Sequence, residues 1–267
     1  MKDVRVKDLT LGAGTGALCI PLTAKDEEAL EKTLQLAAAA PHDLVEWRAD
    51  LWRSGFRKKD GSLNLGLPGE LFSKIRAKLG RTPVLFTYRT LAEGGRGELP
   101  GEDVITLLKA AAAAGADLVD VEMALAGNDA SSLADEIREN GAKVIFSFHD
   151  FGKTPPEEEM LKTLLDMQEK GADISKIAVM PRSDEDVLHV LNVCLKMKQA
   201  KADRPYIVIA MGERGMMTRF CCSFTGSALT FGTAAGASAP GQVSADLMQK
   251  IRSVQGEYGR ENTDKRR

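Results

Sequence analysis

Long apolar runs are missing from this chain: no stretch reaches the roughly 18 residues of a membrane helix, and the opening Met1-Lys2-Asp3-Val4-Arg5-Val6 has no apolar signal core. A cytoplasmic protein with no membrane partner is expected. Cysteine is sparse. Cys19, Cys194, Cys221 and Cys222 are too few for a disulfide framework in 267 residues, and none is spaced as a zinc ligand pair. All four are read as reduced thiols. Excess charge of one sign is missing too: 36 Lys and Arg face 38 Asp and Glu, a net charge of −2, so no basic field for nucleic acid is implied. Small molecules are the expected ligands. The stretch Gly12-Ala13-Gly14-Thr15-Gly16 lacks a helix directly after it, so it reads as a flexible turn and not a phosphate cradle.

What is present is a regular alternation. With 43% hydrophobic and 28% charged residues the chain can bury a sizeable core. Short β-rich runs alternate with longer helical patterns, the mark of βαβ units and a parallel sheet. The expected strands are Leu18–Leu22, Asp43–Arg48, Pro83–Tyr88, Leu118–Glu122, Lys143–His149, Ser175–Val179, Tyr206–Met211 and Ala228–Phe231. The helices expected after them are Lys25–Ala39, Glu70–Leu79, Glu102–Ala114, Ser131–Asn140, Pro156–Lys170, Asp184–Ala200, a weak one at Gly215–Phe220, and Val243–Glu257. Eight right-handed β-then-α units close most simply into a barrel. The fold expected is therefore α/β, a single (β/α)8 TIM barrel over residues 1–255, with a short N-terminal β-hairpin closing its bottom. Residues 256–267 form a charged tail expected to be disordered.

Lys176 interrupts an otherwise apolar run from Ala172 to Pro181. Such a lysine either snorkels its head to water or serves as a nucleophile, because burial disfavours the ammonium and leaves an amine able to form a Schiff base. Strand alternation places other polar residues in the same situation. Glu46 and Arg48 oppose Val45 and Trp47, Thr87 and Arg89 oppose Phe86 and Tyr88, Asp120 and Glu122 oppose Val119 and Val121, and Ser147 and His149 oppose Phe146 and Phe148. If the apolar sets face the helices, the polar sets point into the barrel near the C-terminal strand ends, where barrel enzymes place their active sites. An internal ion-pair network would leave the same pattern.

A lysine nucleophile beside His149 and several arginines suits an anionic carbonyl substrate, with proton transfer next to the carbonyl. His42 lies in a loop and His189 within a helical run, so both read as structural or surface residues. Arg219, just beyond the seventh strand, could grip a carboxylate through two hydrogen bonds.

In sequence order, Glu46-Trp47-Arg48-Ala49-Asp50, Thr87-Tyr88-Arg89 with Glu93-Gly94-Gly95, Ser147-Phe148-His149-Asp150-Phe151, Lys176-Ile177-Ala178-Val179-Met180-Pro181, Met211-Gly212, Thr218-Arg219, Gly226-Ser227 and Ser238-Ala239-Pro240-Gly241-Gln242 resemble type I 3-dehydroquinate dehydratase. The resemblance implies a (β/α)8 barrel, a homodimer, and no metal or organic cofactor. It implies dehydration of 3-dehydroquinate to 3-dehydroshikimate in the shikimate pathway, with Lys176 forming the imine and His149 removing the adjacent proton. Glu93, by spacing only a loop carboxylate, matches the acid that orients this histidine. Arg219 matches the residue holding the substrate carboxylate, and Glu46, Arg48 and Arg89 match residues framing the ring hydroxyls. Ser238 and Gln242 match a loop covering the ring, and Met211 and Phe151 match apolar walls. Asp120 is placed in the inner polar network.

Two features depart from the pattern: Ala210 stands where many relatives have serine, and Trp52–Pro68 matches nothing in it. Three rival readings remain. A class I aldolase would use the same lysine, a metal hydrolase could be built on His149, Asp150, Glu46 and Glu122, and a silent barrel could bind a hydroxy acid as a sensor.

Overall fold

The structure, a computed structural model, describes residues 2–264 apart from 13, 15, 54 and 235–238, and of 200 and 256–264 only the backbone. The chain opens with an antiparallel hairpin, β1 (Val4–Val6) and β2 (Leu9–Leu11). In its two-residue turn Lys7 takes a φ of 53°, unusual for a side chain with a Cβ. Its Nζ lies 2.9 Å from Asp117 Oδ2, which fastens the hairpin to the barrel.

The barrel strands follow as β3 (Ala17–Leu22), β4 (Leu44–Arg48), β5 (Val84–Thr87), β6 (Leu118–Glu122), β7 (Lys143–Asp150), β8 (Ile174–Val179), β9 (Tyr206–Ala210) and β10 (Leu229–Thr233). They are parallel, each from β3 to β8 bonded to the next in sequence, and β10 pairs with β3. The remaining seam, β9 to β10, is bridged by Ala228 N–H donating to the Tyr206 carbonyl at 2.8 Å. The Tyr206 hydroxyl adds a bond to Thr225 O at 2.7 Å. The expected α/β barrel is thus the observed architecture.

The helices are α1 (Glu27–Ala39), α2 (Leu67–Leu79), α3 (Gly101–Ala113), α4 (Met123–Ala126), α5 (Ala130–Glu139), α6 (Glu157–Glu169), α7 (Asp184–Lys196), α8 (Met217–Phe220), α9 (Cys222–Thr225) and α10 (Ala245–Asp264). Their starts follow local chemistry: Asp26 caps α1 by accepting from Ala29 N, and Ser183 and Asp186 form a capping box on α7. Many element ends shift by a residue or a few, a short helix α4 precedes α5, and three larger differences stand out. The single weak helix after β9 is two short ones, α8 and α9. Val243–Ser244 is a short strand, β11, paired with β10, because the chain must run alongside the sheet before it can turn into α10. The backbone of α10 continues to Asp264 past Gly256, so the helix extends into the segment expected to be a disordered tail. No helix among the described residues is long and apolar enough to cross a membrane.

Alternation sorts the strand side chains into layers. Outward-facing Val45, Trp47, Val84, Phe86, Val119, Phe146, Ile177 and Val208 join the helices in one core. Inside, at the N-terminal end, Leu44, Leu85, Leu118, Ile145, Ile174, Ile207 and Leu229 pack on Val4, Val6 and Leu11 of the hairpin, which seals the bottom. The next inward positions toward the C-terminal end carry the polar groups.

The outer core centres on Trp47, fully buried among Phe56, Phe72 and Phe86, with ring centroids 5.2 Å from Phe86 and 5.4 Å from Phe72. Phe56 brings the Trp52–Pro68 stretch against this cluster, so that stretch is anchored outside the barrel. Trp47→Ala should lower unfolding stability by about 3–5 kcal/mol through the cavity it leaves. Trp47→Phe should cost less than half as much, because the indole Nε1 it removes is buried without a hydrogen-bond partner. Urea denaturation of both variants checks the ordering.

Candidate active site

The polar layers open into a cleft of about 530 Å³, open solvent included, at the C-terminal strand ends. Glu46 and Arg48 from β4, Arg89 just after β5, His149 from β7 and Lys176 from β8 line it, together with Glu93, Arg219 and Gln242 from the loops. Eight of the nine residues expected at a site therefore meet in one cavity. The ninth, Ser238, lies outside the described residues.

Lys176 is buried and does not snorkel: its Nζ donates to Asp120 Oδ2 at 2.9 Å and lies 5.1 Å from the centre of the Phe231 ring. His149 stands on the neighbouring strand one layer higher, with Nδ1 2.8 Å from Glu93 Oε2. Both arrangements meet at Arg89. Its Nη2 donates to Asp120 Oδ1 at 2.8 Å, while Nη1 reaches Glu122 Oε1 at 2.9 Å, Glu93 Oε2 at 3.0 Å and Ser147 Oγ at 3.1 Å. Ser147 in turn donates to Asp120 Oδ1 at 2.6 Å. The ion-pair network and the cavity thus coexist.

Glu93 reaches His149 through a tightly folded loop. A 3-10 turn at Leu91–Glu93 follows Thr90, whose N–H and hydroxyl both donate to Glu122, at 2.8 and 2.6 Å. Gly94 takes a φ of 78°, and a Cβ there would overlap the Phe151 ring. On the far wall Arg219 is 2% exposed, yet its described contacts include only one acceptor, Pro240 O, 2.9 Å from Nη2. Its Nε is buried without a partner. Burial with no carboxylate beside it lowers the Arg219 pKa to about 10.

Several residues gain meaning only from the coordinates. Asp120 holds Lys176, Phe231 lies against the lysine Nζ, and Asp50 accepts both Nε and Nη2 of Arg48 at 2.8 Å. Asp120 and Phe231 follow from alternation on β6 and β10, whereas Asp50 carried no periodic signal. Ala210 belongs to the outer core, so its departure from the usual serine does not shape the cavity. Asp150 turns away to accept the backbone N–H groups of Gly152 and Lys153. No three His, Cys, Asp or Glu side chains among the described residues converge as a metal-binding group.

Burial and the nearby carboxylates of Glu122 and Asp120 push the Glu93 carboxyl up to about 8, while burial beside Arg89 and Lys176 drives His149 well below its ordinary range. Asp120, held between Arg89 and Lys176, stays ionised far below the usual carboxylate range. The Glu93–His149 pair therefore carries one proton up to about pH 8. In the unfolded chain that proton rests on histidine and leaves near pH 6.5. Between these values the folded chain binds one proton more than the unfolded chain, so stability falls as pH rises from about 6.5 to about 8, by a contribution of order 1–2 kcal/mol. Urea titrations across pH 6–9 should show this slope, and Glu93→Gln should flatten it.

Comparison with known proteins agrees with this geometry. The family profile described as type I 3-dehydroquinase matches residues 18–258. The 3-dehydroquinate dehydratase of Syntrophotalea carbinolica is 40% identical over 252 residues, 94% of this chain and 97% of that protein. That of Clostridium kluyveri is 38% identical, covering 93% of this chain and 95% of the other. A crystal structure of type I 3-dehydroquinate dehydratase from Clostridium difficile with covalent modified comenic acid superposes with a TM-score of 0.88 at 35% identity, over 96% of this chain and 98% of that one. With a profile match over most of its length and relatives of this similarity, the chain belongs to the type I 3-dehydroquinase family.

Proposed function

We propose that this enzyme dehydrates 3-dehydroquinate to 3-dehydroshikimate through an imine on Lys176, with His149 as general acid and base. The observation that carries the reading is that a buried lysine, a histidine–carboxylate pair and an uncompensated arginine wall one cavity. Arg219 offers a desolvated guanidinium for the substrate carboxylate. With that anion held, the ketone carbon meets Lys176 Nζ; two of the ammonium protons leave with the carbonyl oxygen as water, and the third stays on nitrogen in the protonated imine. The imine draws electrons from the neighbouring carbon, and His149 Nε2, opposite the nitrogen that faces Glu93, removes the proton there. The protonated histidine then returns it to the departing hydroxyl. Hydrolysis frees Lys176 and the conjugated product.

Each supporting group has a task. Asp120 fixes the Lys176 side chain, Glu93 fixes the histidine ring, and Glu46, Arg48 and Arg89 frame the substrate hydroxyls. Gln242, with Ser238, belongs to the covering loop. An aldolase would share the lysine but give no conjugated enone, and a passive sensor would need no amine nucleophile.

A homodimer is the proposed assembly. On α7, Leu188 and Leu195 are exposed and Leu191 is partly so, spaced at three and seven residues on one face. Phe224, 62% exposed, extends the strip: Lys198 Nζ at the end of this helix donates to the Ser223 and Phe224 carbonyls. Contiguous apolar surface of this kind fits a self-complementary contact.

Reduction with borohydride in the presence of 3-dehydroquinate should leave a mass adduct on Lys176, and Lys176→Ala should lose both the adduct and the ultraviolet signal of the enone. Full turnover in that variant would sink the mechanism. For the assembly, a Leu188→Glu, Leu195→Glu double variant should sediment as a monomer where the parent sediments as a dimer; a parent that is already monomeric would refute the contact.

A further inference from the structure

We infer that Asp50 is a positioning residue that ties together the two halves of the site, the Arg48 wall and the loop carrying Glu93. Asp50 sits in the 3-10 turn Ala49–Leu51 that follows β4, with its side chain wholly buried. Its Oδ1 accepts from Arg48 Nε and its Oδ2 from Arg48 Nη2, both at 2.8 Å, the parallel geometry that fixes a guanidinium plane. The same Oδ2 accepts the backbone N–H of Arg96 at 3.1 Å.

That second contact reaches the loop that holds the base. Arg96 lies between Glu93 and the point where the loop closes on itself, with Gly97 N–H donating to Arg89 O at 2.9 Å and Gly95 N–H to Thr90 O at 2.8 Å. Gly95 packs so closely that a Cβ would overlap the Arg89 carbonyl. A loop this tight transmits a shift at Arg96 to Glu93, three residues away, and Glu93 orients His149. One carboxylate therefore sets both a group that faces the substrate and a loop that aims the catalytic histidine.

The inference rests on the dehydratase reading, and the two fail separately. If the parent enzyme makes no enone from 3-dehydroquinate, the reading fails; if the parent is active, the variants decide on Asp50. Asp50→Ala should raise KM and lower kcat, together reducing kcat/KM by about 10- to 100-fold, the scale of a misplacement near 1 Å. Imine trapping at Lys176 should persist at saturating substrate. Asp50→Asn can still accept from Arg96 N–H but presents an amide donor to Arg48, so it should keep the KM defect and recover most of kcat. In an Arg48→Ala background, Asp50→Ala should add little further to KM, because its effect on binding runs through that guanidinium. The inference is overturned if Asp50→Ala leaves kcat and KM within twofold of the parent, or if its KM effect adds in full to that of Arg48→Ala. It is also overturned if Asn and Ala at this position lower kcat equally.

Discussion

A single buried guanidinium, that of Arg89, governs the arrangement of the site. It takes hydrogen bonds to Glu93, Asp120, Glu122 and Ser147, drawn from its own loop and from two further strands. Burying one cation costs several kcal/mol unless it is fully paired, and removing its partners one at a time leaves an uncompensated charge. The pairing therefore comes as a set. Asp120 holds Lys176 and Glu93 holds His149 through carboxylates that Arg89 already fixes, so the lysine and the histidine inherit their places from the same group. A lysine could not replace it, because a point charge lacks the planar fork that reaches several carboxylates at once.

The three arginines facing the cavity differ in how they are balanced, and the difference separates scaffold from binding surface. Arg89 is saturated by carboxylates and Arg48 is clamped by Asp50. Arg219 has a carbonyl and no carboxylate among its described partners, and on the proposed reading its charge is the one left for the substrate. The chain segment bearing Pro240 folds over Met211 and Gly212, since Gly241 packs against the Gly212 backbone with a φ of 77° and Gly212 N–H donates to Pro240 O at 3.2 Å. Arg219 is thus held through Pro240 O by the segment whose Ala239 and Gln242 line the cavity.

How much of this could be read from the sequence depends on how each residue reaches the site. Glu46, Arg48, Arg89, His149 and Lys176 arrive by strand alternation, a period that survives in the primary structure, and the barrel and hairpin follow from the same rhythm. Glu93 arrives by a 3-10 turn and a glycine with positive φ, so spacing marked it only as a loop carboxylate and the family resemblance supplied the rest. Asp50 has no periodic signal of its own, because its role depends on a turn that folds the carboxylate back onto a residue two positions earlier. Phe231 lies on the inward face of β10 by the same alternation, but an apolar residue there carries no sign that its ring stands against Lys176. The apolar run around Lys176 leaves burial and snorkelling both open, and its pairing with Asp120, 56 residues away, has no sequence signal.

The charge of the assembled site follows from these pairings. Glu46, Asp50, Glu93, Asp120 and Glu122 are five carboxylates against four cations, Arg48, Arg89, Lys176 and Arg219. The one proton shared by Glu93 and His149 makes the site neutral, and the apolar plug of Leu85, Leu118 and Ile174 beneath it keeps the penalty for any other balance high. On the proposed reading the substrate carboxylate cancels Arg219 and leaves one negative charge in excess. The group best placed to absorb a further proton is the Glu93–His149 pair, since Asp120 is held ionised by its two cations. On that reading the proton taken up with substrate has left the histidine by the time water is expelled and the imine formed, and proton removal next to the imine then returns the histidine to its protonated state beside the hydroxyl that must leave.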